Sequence, residues 1–247
     1  MPASYDLAGR AALVTGAARS IGEACARKLA ACGAHVAVLD IDEESAQRVA
    51  DSISGLAVHV DVTDPASVNA AISSAADRLG GLDVAVNNAG VTSEGALTGE
   101  LTDDGWWAIL SVNLDGVFFC MRAEIGVMRE RGGGSIVNMA SILSSAGFRN
   151  HVAYTTSKHG VVGLTRGAAV DHAEHGIRVN AVAPGFIRTP LIEVLSPEEI
   201  EAVAGEHPLG RLGEVDEVAE LVAWLASDAS SFATGSVYNV DGGYLAV

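Results

Sequence analysis

A tyrosine and a lysine stand four residues apart in the stretch AYTTSKHGVVGL, residues 153–164. Four residues is just over one helical turn, so on a helix Tyr154 and Lys158 share a face, with Cβ atoms about 5–6 Å apart. A free phenol, with a pKa of about 10, is too protonated to serve as a base at neutral pH. An ammonium at close range in a site of reduced dielectric favours the phenolate. Such a pair can take a proton from a hydroxyl or return one to a developing alkoxide. Alone, the spacing is better explained by a half-buried tyrosine with its hydroxyl at a wet edge and a snorkelling lysine. Other residues have to change that balance.

The elements around the pair set where it would stand. Short runs rich in Val and Ala, at 11–15, 35–40, 57–61, 84–88, 135–140, 178–184 and 236–241, read as strands. Their apolarity is continuous rather than alternating, which suits a parallel sheet covered on both faces. Helical stretches lie between them at 21–31, 43–52, 66–79, 103–130, 152–175 and 215–227. Asp64 followed by Pro65 has the form of an N-cap with proline at the first helical position, and Ser196-Pro197-Glu198-Glu199 that of a capping box. The alternation predicts an α/β fold: a doubly wound, seven-stranded parallel sheet flanked by helices on both faces, in one domain over 1–247. Such sheets bind ligands at the carboxyl ends of their strands. Residues 185–213 break the rhythm, with three prolines, one expected short capped helix and no strand. Long irregular insertions of this kind are often lids.

The first strand runs into TGAARSIG, residues 15–22, and then into a helix. A glycine-rich turn there lets backbone approach a pyrophosphate and aims the helix N-terminus at its charge. An ordinary strand-to-helix turn is the competing reading of that motif by itself. Taken together, T-G-x-x-x-[GS]-x-G, the run NNAG at 87–90 and Y-x-x-x-K resemble the short-chain dehydrogenase/reductase family over essentially the whole chain.

The resemblance implies a Rossmann-like domain that moves hydride between a nicotinamide dinucleotide and a secondary alcohol or ketone. Its cofactor cradle would comprise Gly16, Arg19, Ser20, Ile21 and Gly22 in the first turn, Asp61 and Val62 around the adenine, and Asn88, Ala89 and Gly90 beside the ribose. Ser20 is a departure, since the family usually has glycine where backbone and cofactor come close. Asp40, 24 residues beyond Gly16, would accept ribose hydroxyls and repel a 2′-phosphate, which favours NAD. It could instead simply cap the next helix. Arg19 points the other way, because NADP-using relatives carry a basic residue in this loop. Asp40 is given the greater weight because it would sit against the phosphate itself.

By the same resemblance, Asn113 in SVNLDG and Ser141 in NMASILSS join Tyr154 and Lys158 in a catalytic set. Tyr154 would be the general acid/base, with Lys158 lowering its pKa and holding the nicotinamide ribose. Ser141 would donate to the developing alkoxide, and Asn113 would hold a water between Lys158 and solvent. Read singly, Ser141 is a strand-end polar residue and Asn113 a helix-kink residue. PGFIRTP, residues 184–190, matches the segment that lies against the nicotinamide carboxamide. There Pro184 and Gly185 would shape the turn, the Ile187 backbone would meet the amide, and Thr189 would meet amide or phosphate, unless Thr189 only caps the next helix. Substrate contacts are expected from Ile142, Leu143, Ser144, Asn150 or His151, Phe186, Leu191, Ile192, Val194 and Leu195. This apolar rim suits a small hydrophobic or cyclic alcohol or ketone, with Arg149 and Arg188 keeping a carboxylated one open.

A net charge of −16 and a pI near 4.6 exclude nucleic acid and anionic membrane as partners. No basic cluster is evident to grip a phosphopantetheine or coenzyme A phosphate, so a 3-oxoacyl-thioester reductase is the weaker enzymatic alternative. A noncatalytic nucleotide-binding regulator is weaker still, because both Tyr154 and Lys158 are kept. No stretch is apolar for the ~18 residues of a membrane span and no leader is apparent, so a cytoplasmic protein is expected. Cys25 and Cys32, on one helix, are roughly 10 Å apart, beyond disulfide reach. With Cys120 they read as reduced thiols, and the scattered histidines predict no metal. The C-terminal NVDGGYLAV resembles that of tetrameric family members. A homotetramer is expected, with a dimer as the alternative, its other interface formed by the helices carrying Trp106, Trp107 and Phe118 and carrying Tyr154.

Overall fold

The computed structural model describes residues 5–92 and 95–247. Its first half runs β1 (Ala11–Thr15), α1 (Ser20–Ala31), β2 (His35–Asp40), α2 (Glu43–Ser52), β3 (Leu56–His59), α3 (Pro65–Leu79) and β4 (Val84–Asn87). After α4 (Asp103–Leu110) and a π-helical turn (Ser111–Asp115) come α5 (Gly116–Arg131), β5 (Gly134–Met139), α6 (Val152–His172) and β6 (Ile177–Pro184). The chain closes with α7 (Pro190–Glu193), α8 (Pro197–Gly205), α9 (Val215–Ala226) and β7 (Val237–Val240).

All seven strands pair in parallel, in the order β3-β2-β1-β4-β5-β6-β7. Successive strand residues face opposite sides of the sheet, so each strand feeds two cores. Ala12 and Val14 of β1 pack with Cys25 and Leu29 of α1 and with Val218, Val222 and Leu225 of α9. Leu13 joins Ile72 of α3, Met121 and Met128 of α5 and Val161 of α6 on the other face. This double burial is why the strands read as unbroken apolar runs.

Local signals act where the sequence puts them. The Asp64 carboxylate accepts from the Ala66 amide at 2.9 Å ahead of Pro65, and Ser196 with Glu199 forms a reciprocal capping box at α8. Three expectations need correction. The helix expected over 103–130 is interrupted by the π-helical turn, the Val152–His175 helix ends α-helically at His172 with a 3₁₀ turn after it, and 185–213 holds two helices rather than one. The π turn has an identifiable cause. Asn113 is fully buried within it, and its amide exchanges two 2.8 Å hydrogen bonds with the Val91 backbone. That two-sided tether holds one wide turn in an otherwise continuous helix.

Leu13→Ala tests the far-side core without entering the cleft. Removing this fully buried side chain should cost about 2–5 kcal/mol, read as a lower midpoint at unchanged slope in urea unfolding.

Candidate active site

The chain lays β1, β2 and β3 outward in one direction and returns to set β4 on the other side of β1, so a crevice opens at the carboxyl ends of β1 and β4. A cleft of about 740 Å³ lies there. Its floor needs glycine. Gly16 has φ +62°, and a Cβ on it would stand 2.7 Å from the Ala89 Cα; a Cβ on Gly22 would overlap the Gly16 carbonyl. Asn88 Nδ2 donates to the carbonyls of Thr15 and Gly16 at 3.1 and 2.9 Å, locking the NNAG segment to the glycine turn. At the N-terminus of α1 the cap residue, Arg19, supplies no side-chain acceptor. Close backbone packing and first-turn amides without a side-chain cap are what a pyrophosphate requires, so this cradle fits a dinucleotide.

Ser20 and Ile21 line the same cleft. Ser20 has φ +52°, in the left-handed region that glycine enters without cost and serine does not. Glycine is therefore favoured here by backbone conformation as well as by the close approach inferred from sequence.

Asp40 is buried at the end of β2, and its carboxylate accepts from the amides of Ala18 and Asp42, each at 3.0 Å. Asp42, rather than Asp40, caps α2, accepting from the Ser45 amide at 3.1 Å. The helix-cap alternative for Asp40 is thereby set aside. Arg19 is exposed, and its charge acts on Asp42, whose carboxyl is held low chiefly by the Ser45 hydroxyl and amide. Asp61 accepts from the Thr63 hydroxyl and amide, both at Oδ1 and at 2.7 and 2.9 Å, and these bonds hold its carboxyl below the usual range. Val62 lies buried beside it on the cleft wall.

At the other end the four chemical candidates converge from three elements: Ser141 just beyond β5, Tyr154 and Lys158 from the first turns of α6, and Asn113 from the π turn. Asn113 and Lys158 flank Gly90: a Cβ there would lie 3.3 Å from Asn113 Oδ1 and 3.8 Å from Lys158 Nζ. Lys158 is buried, donates to the Met139 carbonyl at 2.9 Å, and sits 5.5 Å from the centre of the Tyr154 ring. The Ser141 hydroxyl accepts from the Leu143 amide at 3.1 Å, which leaves its own proton for the hydrogen bond with Tyr154.

The expectation that Lys158 pulls the Tyr154 phenol down is not met by the protein alone. Burial raises the phenol, with the hydrogen bond to Ser141 opposing, and burial brings the Lys158 ammonium down to about 8. Desolvation acts on both groups and drives each toward its neutral form.

At the end of β6 and just after it, Pro184, Gly185, Phe186, Ile187 and Thr189 all line the cleft. Arg188 donates its amide to the Gly213 carbonyl at 2.8 Å and Gly213 donates to the Phe186 carbonyl at 3.0 Å. In this parallel bridge between Ile187 and Gly213, the peptide groups of Ile187 lie on the opposite edge, away from Gly213. Thr189 precedes α7 but makes no cap hydrogen bond, leaving its hydroxyl available.

The apolar rim is partly as expected. Ile142, Leu143, His151, Phe186 and Ile192 line the cleft, joined by Phe148, Val91, Thr92 and Met139, which sequence reasoning missed. Phe148 is the only large apolar side chain between Ser145 and His151, a signal that could have found it. Of the alternatives Asn150 and His151 it is His151 that lines the cleft, Asn150 taking a left-handed turn with φ +67°. Three expected residues do not line it: Ser144 turns inward, Val194 is 81% exposed, and Leu195 stands apart from the cleft wall. The Leu191 side chain lies outside the described residues. Among the described residues no group of three or more potential metal ligands occurs, and no helix is long and apolar enough to cross a membrane.

A family model described as enoyl-(acyl carrier protein) reductase matches residues 16–245. A cyclohexanol dehydrogenase of Acinetobacter sp. (strain SE19) is 44% identical over 95% of this chain and 94% of its own length. The chain belongs to the short-chain dehydrogenase/reductase family. A cis-4-hydroxycyclohexanecarboxylate dehydrogenase of Sinomonas cyclohexanicum is 45% identical, over 97% of this chain and 98% of that one. The crystal structure of a short-chain type dehydrogenase/reductase from Mycobacterium marinum superposes with a TM-score of 0.92 at 39% identity, covering 98% and 97% of the two chains. As a family member the chain is an oxidoreductase that uses a nicotinamide cofactor.

Ser20→Gly should relieve the left-handed strain and gain up to about 1 kcal/mol. Thermal unfolding of the two proteins side by side checks this, and a lower midpoint for Ser20→Gly would refute it.

Proposed function

We propose that this protein is an NAD(H)-dependent dehydrogenase that interconverts a secondary alcohol on a small hydrophobic ring with its ketone. The observation that carries the reading is the shared cleft: Ser141, Tyr154 and Lys158 line one end and Asp40 lines the other, with the glycine cradle between. Relatives named for cyclohexanol and hydroxycyclohexanecarboxylate and the apolar wall of Ile142, Leu143, Phe148, Phe186 and Ile192 support a ring substrate.

A bound nicotinamide ring supplies the hydride acceptor in oxidation and the hydride donor in reduction. In oxidation Tyr154 Oη takes the hydroxyl proton. In reduction it returns that proton to the carbonyl oxygen, while the Ser141 hydroxyl donates a second hydrogen bond that strengthens as charge develops. Lys158 holds the cofactor ribose and places a positive charge near the phenolate. Because burial alone raises the phenol, the positive charge of the oxidised cofactor adds to that of Lys158 in making Tyr154 a base. Asn113, fixed against Val91, occupies the wall behind Lys158.

Asp40, held by two backbone amides, faces the adenosine ribose and selects against a 2′-phosphate. Asp61 and Val62 hold the adenine, Gly16 to Gly22 the pyrophosphate, Asn88 to Gly90 the ribose, and Gly185, Ile187 and Thr189 the carboxamide. Residues 185–213 act as a lid on a one-domain enzyme. Exposed Trp107, Phe118 and Val170 on α4, α5 and α6 support a homotetramer, and a cytoplasmic location accords with free cysteines.

Absorbance of reduced nicotinamide, followed with a panel of cyclic alcohols and ketones and with NAD(H) and NADP(H) in parallel, tests this. Tyr154→Phe should lose about 10²–10⁴-fold in kcat, and unimpaired turnover would end the acid/base assignment. Asp40→Ala should raise the KM for NAD and lower that for NADP; unchanged preference would remove Asp40 from cofactor selection. Alcohol oxidation should quicken as pH rises above neutrality, because a phenol raised by burial must lose its proton to act, and ketone reduction should slow over the same range.

A further inference from the structure

Behind the sheet end, Glu124 of α5 is completely buried. Asn87 Nδ2, at the last position of β4, donates to Glu124 Oε2 at 3.0 Å and to Asn138 Oδ1 of β5 at 3.0 Å. Asn138 Nδ2 in turn donates to Thr165 Oγ1 of α6 at 3.0 Å, and Thr165 passes its proton to the Val161 carbonyl at 2.8 Å. Each residue of the first pair keeps one buried oxygen with no partner: Asn87 Oδ1 and Glu124 Oε1. An amide and a carboxyl joined through one bond, each with its geminal oxygen unsatisfied, lack one proton to complete a two-bond ring. Two acceptors left bare in the interior would be costly.

We propose that Glu124 is held as the neutral carboxylic acid, donating its proton from Oε1 to Asn87 Oδ1, and that this closed acid–amide pair is a positioning device for the active site. The groups its network reaches on β4, β5 and α6, namely Asn87, Asn138 and Thr165, are all uncharged, and one turn back on its own helix stands the Cys120 thiol, raised chiefly by burial. Among the described residues no cation forms an ion pair with Glu124. Burial accordingly pushes its carboxyl up to about 8, with the Asn87 bond opposing.

The network ties together the four elements that carry the site. Asn87 precedes Asn88 to Gly90, Asn138 lies three residues before Ser141, Thr165 lies two turns beyond Lys158 on α6, and α5 continues the π turn that holds Asn113. Ionising Glu124 would remove a donor and place a charge at the junction of all four.

The sign of the pH effect follows. A carboxyl raised in the folded state binds more protons there than in the unfolded chain between its ordinary value and about 8, so stability falls as pH rises through that window and levels off above it. Glu124→Gln mimics the acid, since its amide group donates to Asn87 Oδ1 while its oxygen still accepts from Nδ2. Thermal midpoints of wild type, Glu124→Gln and Glu124→Ala are therefore measured from pH 5 to 9. The midpoint gap between Glu124→Gln and wild type should move in favour of the glutamine by several degrees as pH rises. A gap constant across that range would overturn the neutral acid.

The positioning role rests on the proposed dehydrogenase reading, whereas the stability gap does not, so the two can fail separately. Glu124→Ala should lose roughly tenfold in kcat with KM little changed, and Glu124→Gln should restore most of it. Equal losses in both variants would overturn the role of the closed ring. If Glu124→Ala does not fold, the pH dependence of kcat in Glu124→Gln decides: both proteins share the alkaline loss of ketone reduction set by Tyr154, but in wild type the loss should begin earlier, near pH 8, where Glu124 ionises, and an identical profile would overturn the role.

Discussion

Lys158 keeps its ammonium nitrogen inside the protein, with a backbone carbonyl 2.9 Å away and, among the described residues, no carboxylate ion-paired to it. A cation in that state is disfavoured unless something anionic arrives, and the lowered affinity for its proton, to about 8, expresses the cost. The fold supplies the rigidity that tolerates it. Met139 ends β5, the central part of a sheet buried on both faces, and α6 packs along β6 beside it. The same desolvation raises the neighbouring phenol above its ordinary value, so both groups favour their neutral forms and respond strongly to any charge placed beside them. An active site tuned by emptiness of counter-charge needs little else than a ligand to set it.

The polar side chains of the interior follow from this demand for rigidity. Asn88 bridges β4 to the glycine turn, Asn87 bridges β4 to β5, and Asn113 closes the π turn on Val91. Each amide spans two elements with both a donor and an acceptor available, which apolar packing cannot imitate in direction. These are the ties that convert a sheet edge into a fixed frame for Ser141 and Tyr154.

Most of the fold was legible because double burial writes itself into unbroken apolar runs; all seven strands fall where Val and Ala cluster, with ends shifted by a residue or two, as at Leu56–His59. The site was legible as spacing, through Tyr154 with Lys158 and through the glycine turn. What escaped was held by long-range contacts. The π turn depends on Val91, over twenty residues away, so Asn113 in SVNLDG hinted at a kink without giving its form. Ser144 was expected on the rim but turns away, its hydroxyl donating to the Ser141 carbonyl. The direction of the Tyr154 shift escaped for a related reason, since the degree of desolvation belongs to the packed interior and not to the motif.

The segment after β6 leaves and rejoins the body at adjacent points. Ile187 and Gly213 pair directly, and Arg188 meets Glu214 at 3.2 Å across the same base. A loop whose two ends are pinned together can change length at small entropic cost, and nothing in the sheet has to shift when it does. Of the cleft wall only Thr189 and Ile192 belong to the pinned loop, and the rest stands on the body. Splicing a foreign segment between Thr189 and Gly213 therefore changes one side of the wall and leaves the other side in place.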